Sequence, residues 1–133
     1  GGWRQVEKRL LGLLIKHLLL YEKVNVGVRL LHSPLGDEGF RIKKYVNEAS
    51  FHHSFHADSG DEGKAPRRVL AMILYLNDVY SGGETTFLLQ RINVKPKCGR
   101  MLMFPTTFTH VHAGLPPVSN PKYNAISFVT IPP

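Results

Sequence analysis

The sequence predicts a mainly β fold of the jelly-roll or barrel type, with one supporting helix at its N-terminus. Over the first 22 residues, apolar side chains recur at spacings of three and four, which is the repeat of one helical face. From residue 39 onward, short β-branched and aromatic runs alternate with clusters of Gly, Pro, Asn and Asp. That second pattern is typical of a domain with many short strands.

The N-terminal helix is expected over residues 1–22, and its apolar face should lie against a sheet. Lys16 and His17 interrupt its leucine-rich stretch, which is also shorter than the roughly 20 apolar residues that cross a bilayer. We therefore expect no membrane partner. The chain starts at Gly1 without methionine, so the lack of a targeting signal carries no conclusion. The helical face comprises Trp3, Val6, Leu10, Leu13, Leu14, His17, Leu18 and Tyr21.

Eight short strands are expected to form a jelly-roll core over residues 39–131. A chain of 133 residues can bury one such core but has no room for a second, so we expect a single domain over residues 1–133. A polar, glycine-rich loop, Ser59 to Pro66, is expected between the second and third strands. The predicted strands are Gly39–Tyr45, Phe51–His56, Val69–Leu76, Thr85–Leu89, Ile92–Val94, Arg100–Phe104, Thr109–Ala113 and Asn124–Ile131.

Charge and cysteine content restrict the partners and the compartment. The chain has 17 Lys and Arg against 10 Asp and Glu, a net charge of +7 that favours acidic partners such as nucleic acid, acidic peptides or small carboxylates. The basic residues are dispersed, which is typical of a solvated surface, so nucleic acid is not the favoured partner. Cys98 is the only cysteine, which excludes an intrachain disulfide and a CxxC motif and favours a reducing compartment such as the cytoplasm. The sequence gives no signal of oligomeric state.

The segment His56-Ala57-Asp58 places an imidazole and a carboxylate two residues apart. At the end of a strand, side chains two residues apart point the same way, so both could bind one metal ion. A second imidazole from a distant strand would complete a set of two His and one carboxylate, which leaves three positions open on Fe(II). His110 and His112 both qualify, because they lie two residues apart on one predicted strand. The HxD pair alone is weak evidence.

Five further segments follow in order along the chain: Tyr75-Leu76-Asn77-Asp78, Gly82-Gly83-Glu84-Thr85, Phe104-Pro105, His112-Ala113-Gly114 and Lys122-Tyr123. With the HxD pair, they give residues 40–130 a pattern that resembles the prolyl 4-hydroxylase-like branch of the 2-oxoglutarate and Fe(II)-dependent oxygenases. The resemblance implies a double-stranded β-helix with Fe(II) held by His56, Asp58 and His112. It also implies 2-oxoglutarate and O₂ as cosubstrates and ascorbate as a reductant.

The same resemblance assigns further residues of the pocket. Lys122 lies ten residues after His112, the family's spacing between the distal His and the basic residue that binds the 5-carboxylate of 2-oxoglutarate. This spacing favours His112 over His110, and a buried carboxylate needs such a partner. The resemblance places Tyr45, Tyr75 and Thr85 beside the cosubstrate and Arg68 at the substrate, although a plain strand residue explains Thr85 equally well and a surface charge explains Arg68. No tryptophan follows Lys122, which is a departure from the family pattern.

The activity implied is the hydroxylation of a C–H bond in a peptidyl substrate, prolyl substrates included, or in a small molecule, with release of succinate and CO₂. An oxidative nucleic-acid demethylase would suit the positive charge, but such enzymes carry arginines at set spacings after the distal His, and Val118 stands six residues after His112. A third hypothesis is a non-catalytic binding module with the jelly-roll fold. It would be expected to have lost a metal ligand or the carboxylate anchor, and this chain has all four.

Overall fold

The computed structural model describes residues 1–31, 33–47, 54–60 and 65–133. A long helix, α1 (Gly2–Val24), opens the chain, and short 3₁₀ turns occur at Val26–Leu30 and Phe108–His110. No helix in these ranges is both long enough and apolar enough to cross a membrane. The strands are β1 (Gly36–Asp37), β2 (Arg41–Tyr45), β3 (Arg68–Tyr75), β4 (Thr85–Phe87), β5 (Ile92–Val94), β6 (Met101–Pro105), β7 (His112–Gly114) and β8 (Lys122–Thr130).

The strands form two antiparallel sheets. The larger sheet has the order β1-β8-β3-β6, with β2 also paired to β8, and the smaller sheet has the order β5-β4-β7. An isolated bridge between His56 and His112 extends the free side of β7. Side chains of the two sheets pack together in one apolar cluster that contains Phe87 of the smaller sheet and Phe104 of the larger. The predicted fold class, a mainly β jelly roll with a supporting N-terminal helix, is confirmed.

Strand β3 is covered on both faces, which explains its unbroken apolar sequence. Its side chains at 70, 72 and 74 pack with Leu10 and Leu14 of α1, while those at 71, 73 and 75 pack toward the smaller sheet. Helix α1 therefore lies against the outer face of the larger sheet, as its apolar repeat predicted, although Trp3, Val6 and Leu13 of the predicted face are exposed. The inner face of that sheet is left to form the wall of the site.

Some strands differ from the prediction. The start of the predicted strand Thr109–Ala113 is wrong, because Phe108–His110 forms a 3₁₀ turn and the strand begins at His112. The Thr109 hydroxyl bonds to the Thr107 hydroxyl and to His110 Nδ1, so local side-chain bonds compete with the strand there. The short strand β1 was not predicted. The predicted strand Phe51–His56 and the loop Ser59–Pro66 lie partly outside the described residues.

Candidate active site

The backbones of His56 and His112 pair directly. The His56 N–H donates to the His112 carbonyl at 2.9 Å, and the His112 N–H donates to the His56 carbonyl at 3.0 Å. Residues that exchange both hydrogen bonds in an antiparallel pair project their side chains on the same side. The two imidazole rings accordingly lie with their centroids 4.5 Å apart, although the residues are far apart in the sequence.

The Asp58 carboxylate lies between these two rings. Its Oδ1 is 3.3 Å from His56 Nε2, and its Oδ2 is 3.3 Å from His112 Nε2. The Asp58 main chain is fixed independently, because its N–H donates to the Thr106 carbonyl at 3.0 Å. One ligand atom from each of the three side chains lies within 4.8 Å of the others, a grouping that could hold one metal ion.

The second nitrogen of each ring faces a main-chain carbonyl. His56 Nδ1 is 3.1 Å from the Ser54 carbonyl oxygen, and His112 Nδ1 is 3.0 Å from the His110 carbonyl oxygen. An acceptor at that distance favours the tautomer with its proton on Nδ1, which leaves the Nε2 lone pair for a metal. Two oriented imidazoles and one carboxylate are a donor set that suits non-haem Fe(II).

The two imidazoles differ in their exposure and in their pKa. Hydrogen bonding to Asp58 raises the pKa of His56, whose side chain is 48% exposed. Burial lowers the pKa of His112, whose side chain is only 7% exposed. At neutral pH, His112 is therefore in the neutral form, which is the form that binds a metal ion. His56 sits on the open side of the site.

His110, the competing imidazole of the sequence analysis, lies outside this group. Its position in the 3₁₀ turn removes the strand geometry that would have pointed it toward His112. Its ring packs edge-on against Phe87, with the centroids 6.3 Å apart, and its Nδ1 meets the Thr109 hydroxyl at 2.9 Å. The contribution of His110 to the site is the main-chain carbonyl that holds the His112 ring.

A cavity of about 740 Å³ between the sheets contains this group. The cavity is lined along β8 by alternate residues, from Lys122 through Asn124 and Ile126 to Phe128. Phe128 pairs with Ala71, which also pairs with Phe104, and the Phe104 ring lies 4.7 Å from the His112 ring. The three ligand side chains are therefore nearer the Phe128 end, and Lys122 occupies the opposite end.

Lys122 carries a charge into the interior. Its side chain is 2% exposed, its Nζ donates to the Gly83 carbonyl at 3.1 Å, and it lies 4.7 Å from the centre of the Tyr45 ring. Burial lowers the pKa of Lys122 to about 8. Gly83 has φ +78°, a backbone conformation that favours glycine at this position beside the lysine. A buried ammonium of this kind suits an anionic ligand.

The other predicted cosubstrate residues also lie at this end. Thr85 and Tyr45 line the cavity. Tyr75 is fully buried, and its hydroxyl bonds to the Thr85 hydroxyl at 2.5 Å. Burial raises the pKa of Tyr75 to about 12, so it stays protonated. Tyr75 is not among the lining residues, and its contact is with Thr85 rather than with the cavity.

Comparison with protein families identifies the chain. The family model described as "2OG-Fe(II) oxygenase superfamily" matches residues 40–130, which is more than half of the sequence. The chain belongs to this superfamily. The matched region includes both the grouping of His56, Asp58 and His112 and the buried Lys122, so the donor set and the family agree.

Two relatives are named as 2-oxoglutarate dioxygenases. A segment of 51 residues is 43% identical to procollagen-lysine,2-oxoglutarate 5-dioxygenase 1 of Rattus norvegicus and 41% identical to that of Bos taurus. This segment is 38% of the present chain, and the match spans only 7% of the length of these curated relatives.

Two solved structures share the fold. The 2OG complex of the viral collagen prolyl hydroxylase of Paramecium Bursaria Chlorella virus-1 matches with a TM-score of 0.76 at 20% identity, covering 97% of this chain and 74% of that one. A Pseudomonas putida prolyl-4-hydroxylase matches with a TM-score of 0.60 at 18% identity, covering 85% and 61%. At these identities the likeness is one of fold.

Arg68, predicted as a substrate contact, has several partners within the chain. Its guanidinium forms two hydrogen bonds to the Glu38 carboxylate, at 2.5 and 2.8 Å, and lies 3.8 Å from the centre of the Phe128 ring. It also donates to the Asp58 carbonyl at 3.3 Å. A contact with substrate stays a prediction. The bond to this carbonyl connects Arg68 to the main chain of Asp58, a proposed metal ligand.

Sequence reasoning missed several residues of the site. The carbonyls of Ser54 and Thr106, which hold His56 and Asp58, carry no sequence signal, because any residue supplies a carbonyl. Asn124, in contrast, could have been predicted from the sequence. It lies two residues after Lys122, and the alternation of a strand puts both side chains on one face.

Proposed function

We propose that this chain is a 2-oxoglutarate- and O₂-dependent Fe(II) dioxygenase that hydroxylates a C–H bond of a peptidyl substrate. One observation carries the proposal: two imidazoles and a carboxylate converge in a cavity whose other end holds a buried lysine. The first group suits iron, and the second suits a ligand that bears a carboxylate. A jelly-roll module that had lost catalysis would have no reason to keep both.

His56, Asp58 and His112 would hold Fe(II) on one side of the ion. When bound, Fe(II) and 2-oxoglutarate supply the oxidising chemistry, in which O₂ is consumed, succinate and CO₂ are released and a substrate C–H bond is hydroxylated. The main-chain carbonyls behind the two imidazoles keep both rings in place. Asp58 adds a negative charge that lowers the net charge of the site when the ion is bound.

Lys122 would bind the 5-carboxylate of the cosubstrate. A charge-assisted hydrogen bond is strongest where water is excluded, and the lysine side chain is almost fully buried. The Tyr45 ring beside the ammonium and the Thr85 hydroxyl held by Tyr75 would complete this end of the pocket. These groups would fix the position and direction of the bound cosubstrate, so that its other end reaches the metal.

A peptidyl substrate is supported by the relatives. The structural neighbours include a collagen prolyl hydroxylase and a prolyl hydroxylase of Trichoplax adhaerens in complex with a hypoxia inducible factor peptide fragment. The half-exposed side of His56 gives a larger substrate a way to the metal. Because no tryptophan follows Lys122, the substrate side need not match that of prolyl hydroxylases, and lysyl peptides belong with prolyl peptides among the substrates to test.

The experiment is a screen for substrate-stimulated release of succinate. The protein is supplied with Fe(II), 2-oxoglutarate and ascorbate, and is tested with prolyl and lysyl peptides, free amino acids and methylated oligonucleotides. We expect peptides to stimulate succinate release in the wild-type chain and not in Asp58→Ala. Stimulation by oligonucleotides alone would favour the nucleic-acid demethylase instead. A protein that binds Fe(II) and 2-oxoglutarate but never releases succinate would be a binding module.

A further inference from the structure

The opening of the cavity is marked by the residues that both line it and are exposed. Two of them, Ser54 and His56, lie at the metal end. The other three, Arg41, Lys43 and Lys44, are cations of strand β2. Among the described residues that form this opening, none is acidic. A substrate that reaches the metal by the exposed side of His56 therefore passes an edge of positive charge.

Two of these cations project over the cavity. In the pairing of β2 with β8, Arg41 lies opposite Ile126 and Lys43 lies opposite Asn124. Residues directly opposite each other on antiparallel strands share one face of the sheet, and both of these β8 residues line the cavity. The Arg41 and Lys43 side chains therefore stand on the inner face, between the lysine end of the cavity and the metal end.

Neither of these two cations has an ion-pair partner within the described part of the chain. The ion pairs there join both imidazoles to Asp58 and join Arg68 to Glu38. The Glu38 carboxylate, whose pKa is lowered chiefly by Arg68 and less by Arg41, makes its two hydrogen bonds to Arg68. Arg41 and Lys43 are thus available to an anionic group that enters from outside.

The interior of the cavity does not offset this positive charge. Apart from the β2 cations and the two imidazoles, its charged lining residues are Asp58 and Lys122. In the proposed enzyme, the charges of Fe(II) and Lys122 balance those of Asp58 and of dianionic 2-oxoglutarate. The cations at the opening are then the net charge that an incoming substrate meets.

We propose that Arg41 and Lys43 select a peptide that carries carboxylate side chains close to the residue to be hydroxylated. This inference rests on the proposed function and names its substrate class, an acidic peptide. Residues two apart on a strand are separated by about 7 Å, so two Asp or Glu residues at the same spacing in an extended peptide can pair with both cations. Charge pairs at an exposed edge of this kind act mainly on the choice of partner and on the association rate.

A nucleic acid is also anionic, but the opening offers it little besides charge. Proteins that bind single strands stack the bases on aromatic side chains. The exposed lining residues of the described chain include no Phe, Tyr or Trp. Two cations also neutralise few phosphates, and phosphate contacts supply most of the affinity for nucleic acid. The opening is therefore better suited to a short acidic peptide.

The test measures peptide binding without turnover. The protein is loaded with Fe(II) and 2-oxoglutarate in the absence of oxygen and titrated with three peptides, which share a central proline and have Glu, Gln or Lys at the flanking positions. A second set has a central lysine. Fluorescence anisotropy of a neutral dye on the peptide reports binding. We expect the Glu peptide to bind about tenfold more tightly than the Gln peptide at low salt, the effect of two exposed ion pairs. The difference should shrink as salt is added.

The variant that removes both cations is Arg41→Gln/Lys43→Gln. Its dissociation constants for the Glu and Gln peptides should agree to within about twofold. Its dissociation constant for 2-oxoglutarate, followed by the visible absorption, should be unchanged. Arg41→Lys/Lys43→Arg keeps both charges and should keep the preference for the Glu peptide. Both changes lie on an exposed strand, where substitutions have little effect on stability.

Lys44→Gln is the matched control. It removes the same charge from the same strand but from the other face, because Lys44 pairs with Tyr123 and its ammonium lies 5.6 Å from the centre of that ring. This variant should keep most of the preference for the Glu peptide. A loss as complete as that of the double variant would show that the net charge of the chain is responsible, and would overturn the role of the two inward-facing cations.

Three further outcomes would overturn the proposal. The first is a wild-type chain that binds the Glu and Gln peptides equally or binds neither. The second is a double variant that keeps the preference and loses affinity for 2-oxoglutarate, which would assign the cations to the cosubstrate. The third is an oligonucleotide that displaces the Glu peptide at lower concentration than the peptide itself requires. A wild-type chain that shows no absorption with Fe(II) and 2-oxoglutarate, before any peptide is added, would instead refute the proposed function.

Discussion

The two ends of the cavity are built in different ways. At the metal end, main-chain hydrogen bonds pair His56 with His112, and main-chain carbonyls hold both rings. At the carboxylate end, a buried ammonium and a buried amide lie among side-chain hydroxyls. The backbone of the metal end is held by main-chain hydrogen bonds, which do not depend on the identity of its side chains. The carboxylate end, in contrast, buries a charged side chain in the interior of the fold.

This difference separates binding from stability. Removing a side chain at the metal end should cost metal affinity and only the stability that the packing of that side chain supplies, since the strand pairing survives. Removing the charge at the carboxylate end should cost cosubstrate affinity and increase stability, because burial of an ammonium opposes folding. Variants at each end of the cavity test these two expectations.

The largest effect is expected for His112→Ala. Loss of a direct ligand should weaken Fe(II) binding by more than the roughly 10–100-fold that loss of an outer-shell partner costs. The free energy of unfolding should fall by an amount on the order of 2 kcal/mol, because a buried ring is lost while the main-chain pairing with His56 remains. Competition against a chelator measures the first quantity, and urea unfolding measures the second.

Two other histidines act as controls for this variant. His17→Ala changes an imidazole on α1 and should leave iron binding unchanged. His110→Ala keeps the carbonyl that holds His112, so it should still bind iron. If His110→Ala lost iron as completely as His112→Ala does, the choice of His112 would be wrong.

The next effect is expected for Lys122→Met. The dissociation constant for 2-oxoglutarate should rise about 100-fold, since a buried charged partner is lost, while Fe(II) affinity is unchanged. The fall of the Lys122 pKa from 10.5 to about 8 corresponds to a burial cost on the order of 3 kcal/mol. After allowance for the lost bond to Gly83, the ligand-free variant should gain about 1–2 kcal/mol of unfolding free energy at pH 7. A variant less stable than the wild type would contradict this account of the carboxylate end.

The lowered pKa of Lys122 also predicts how 2-oxoglutarate binding depends on pH. The ligand-free protein loses the lysine proton as the pH rises through about 8. The dissociation constant should therefore be flat below that pH and rise by up to about tenfold per unit above it. The unfolding free energy should increase between pH 8 and 10.5, because the unfolded chain holds this proton longer. Lys122→Arg should abolish the change in binding, and a wild-type constant that stayed flat to pH 10 would refute the assignment.

The smallest effect is expected for Tyr75→Phe. This variant removes the hydroxyl that bonds to Thr85 and should lower the free energy of unfolding by about 1 kcal/mol. The dissociation constant for 2-oxoglutarate should change by no more than about threefold, because Tyr75 contacts the cavity through Thr85. A change as large as that of Lys122→Met would show that the tyrosine binds the ligand directly.

Features that repeat along the chain could be predicted from the sequence. The three- and four-residue spacing of α1 identified the side of the helix that packs on the sheet, although part of that predicted face is exposed. The apolar run at residues 69–76 identified a strand, and the structure covers that strand on both faces. The motif order placed His56, Asp58, His112 and Lys122 in one site, and the structure brings them to one cavity.

Features that depend on a distant partner, or on local side-chain hydrogen bonds that compete with strand propensity, could not be predicted. The Glu38 carboxylate that binds Arg68 lies 30 residues away, and nothing in either segment indicates the pair. The 3₁₀ turn at Phe108–His110 interrupts a β-forming sequence through bonds between neighbouring hydroxyls, which outweigh the local strand propensity.

The central claim is that one site holds Fe(II) and 2-oxoglutarate together. The direct measurement is the visible absorption of the protein after oxygen-free incubation with Fe(II) and 2-oxoglutarate. We expect a weak metal-to-ligand band in the wild-type chain and in His17→Ala, and no band in His56→Ala. A wild-type chain without the band, or a band that persists in His56→Ala, would contradict the assignment.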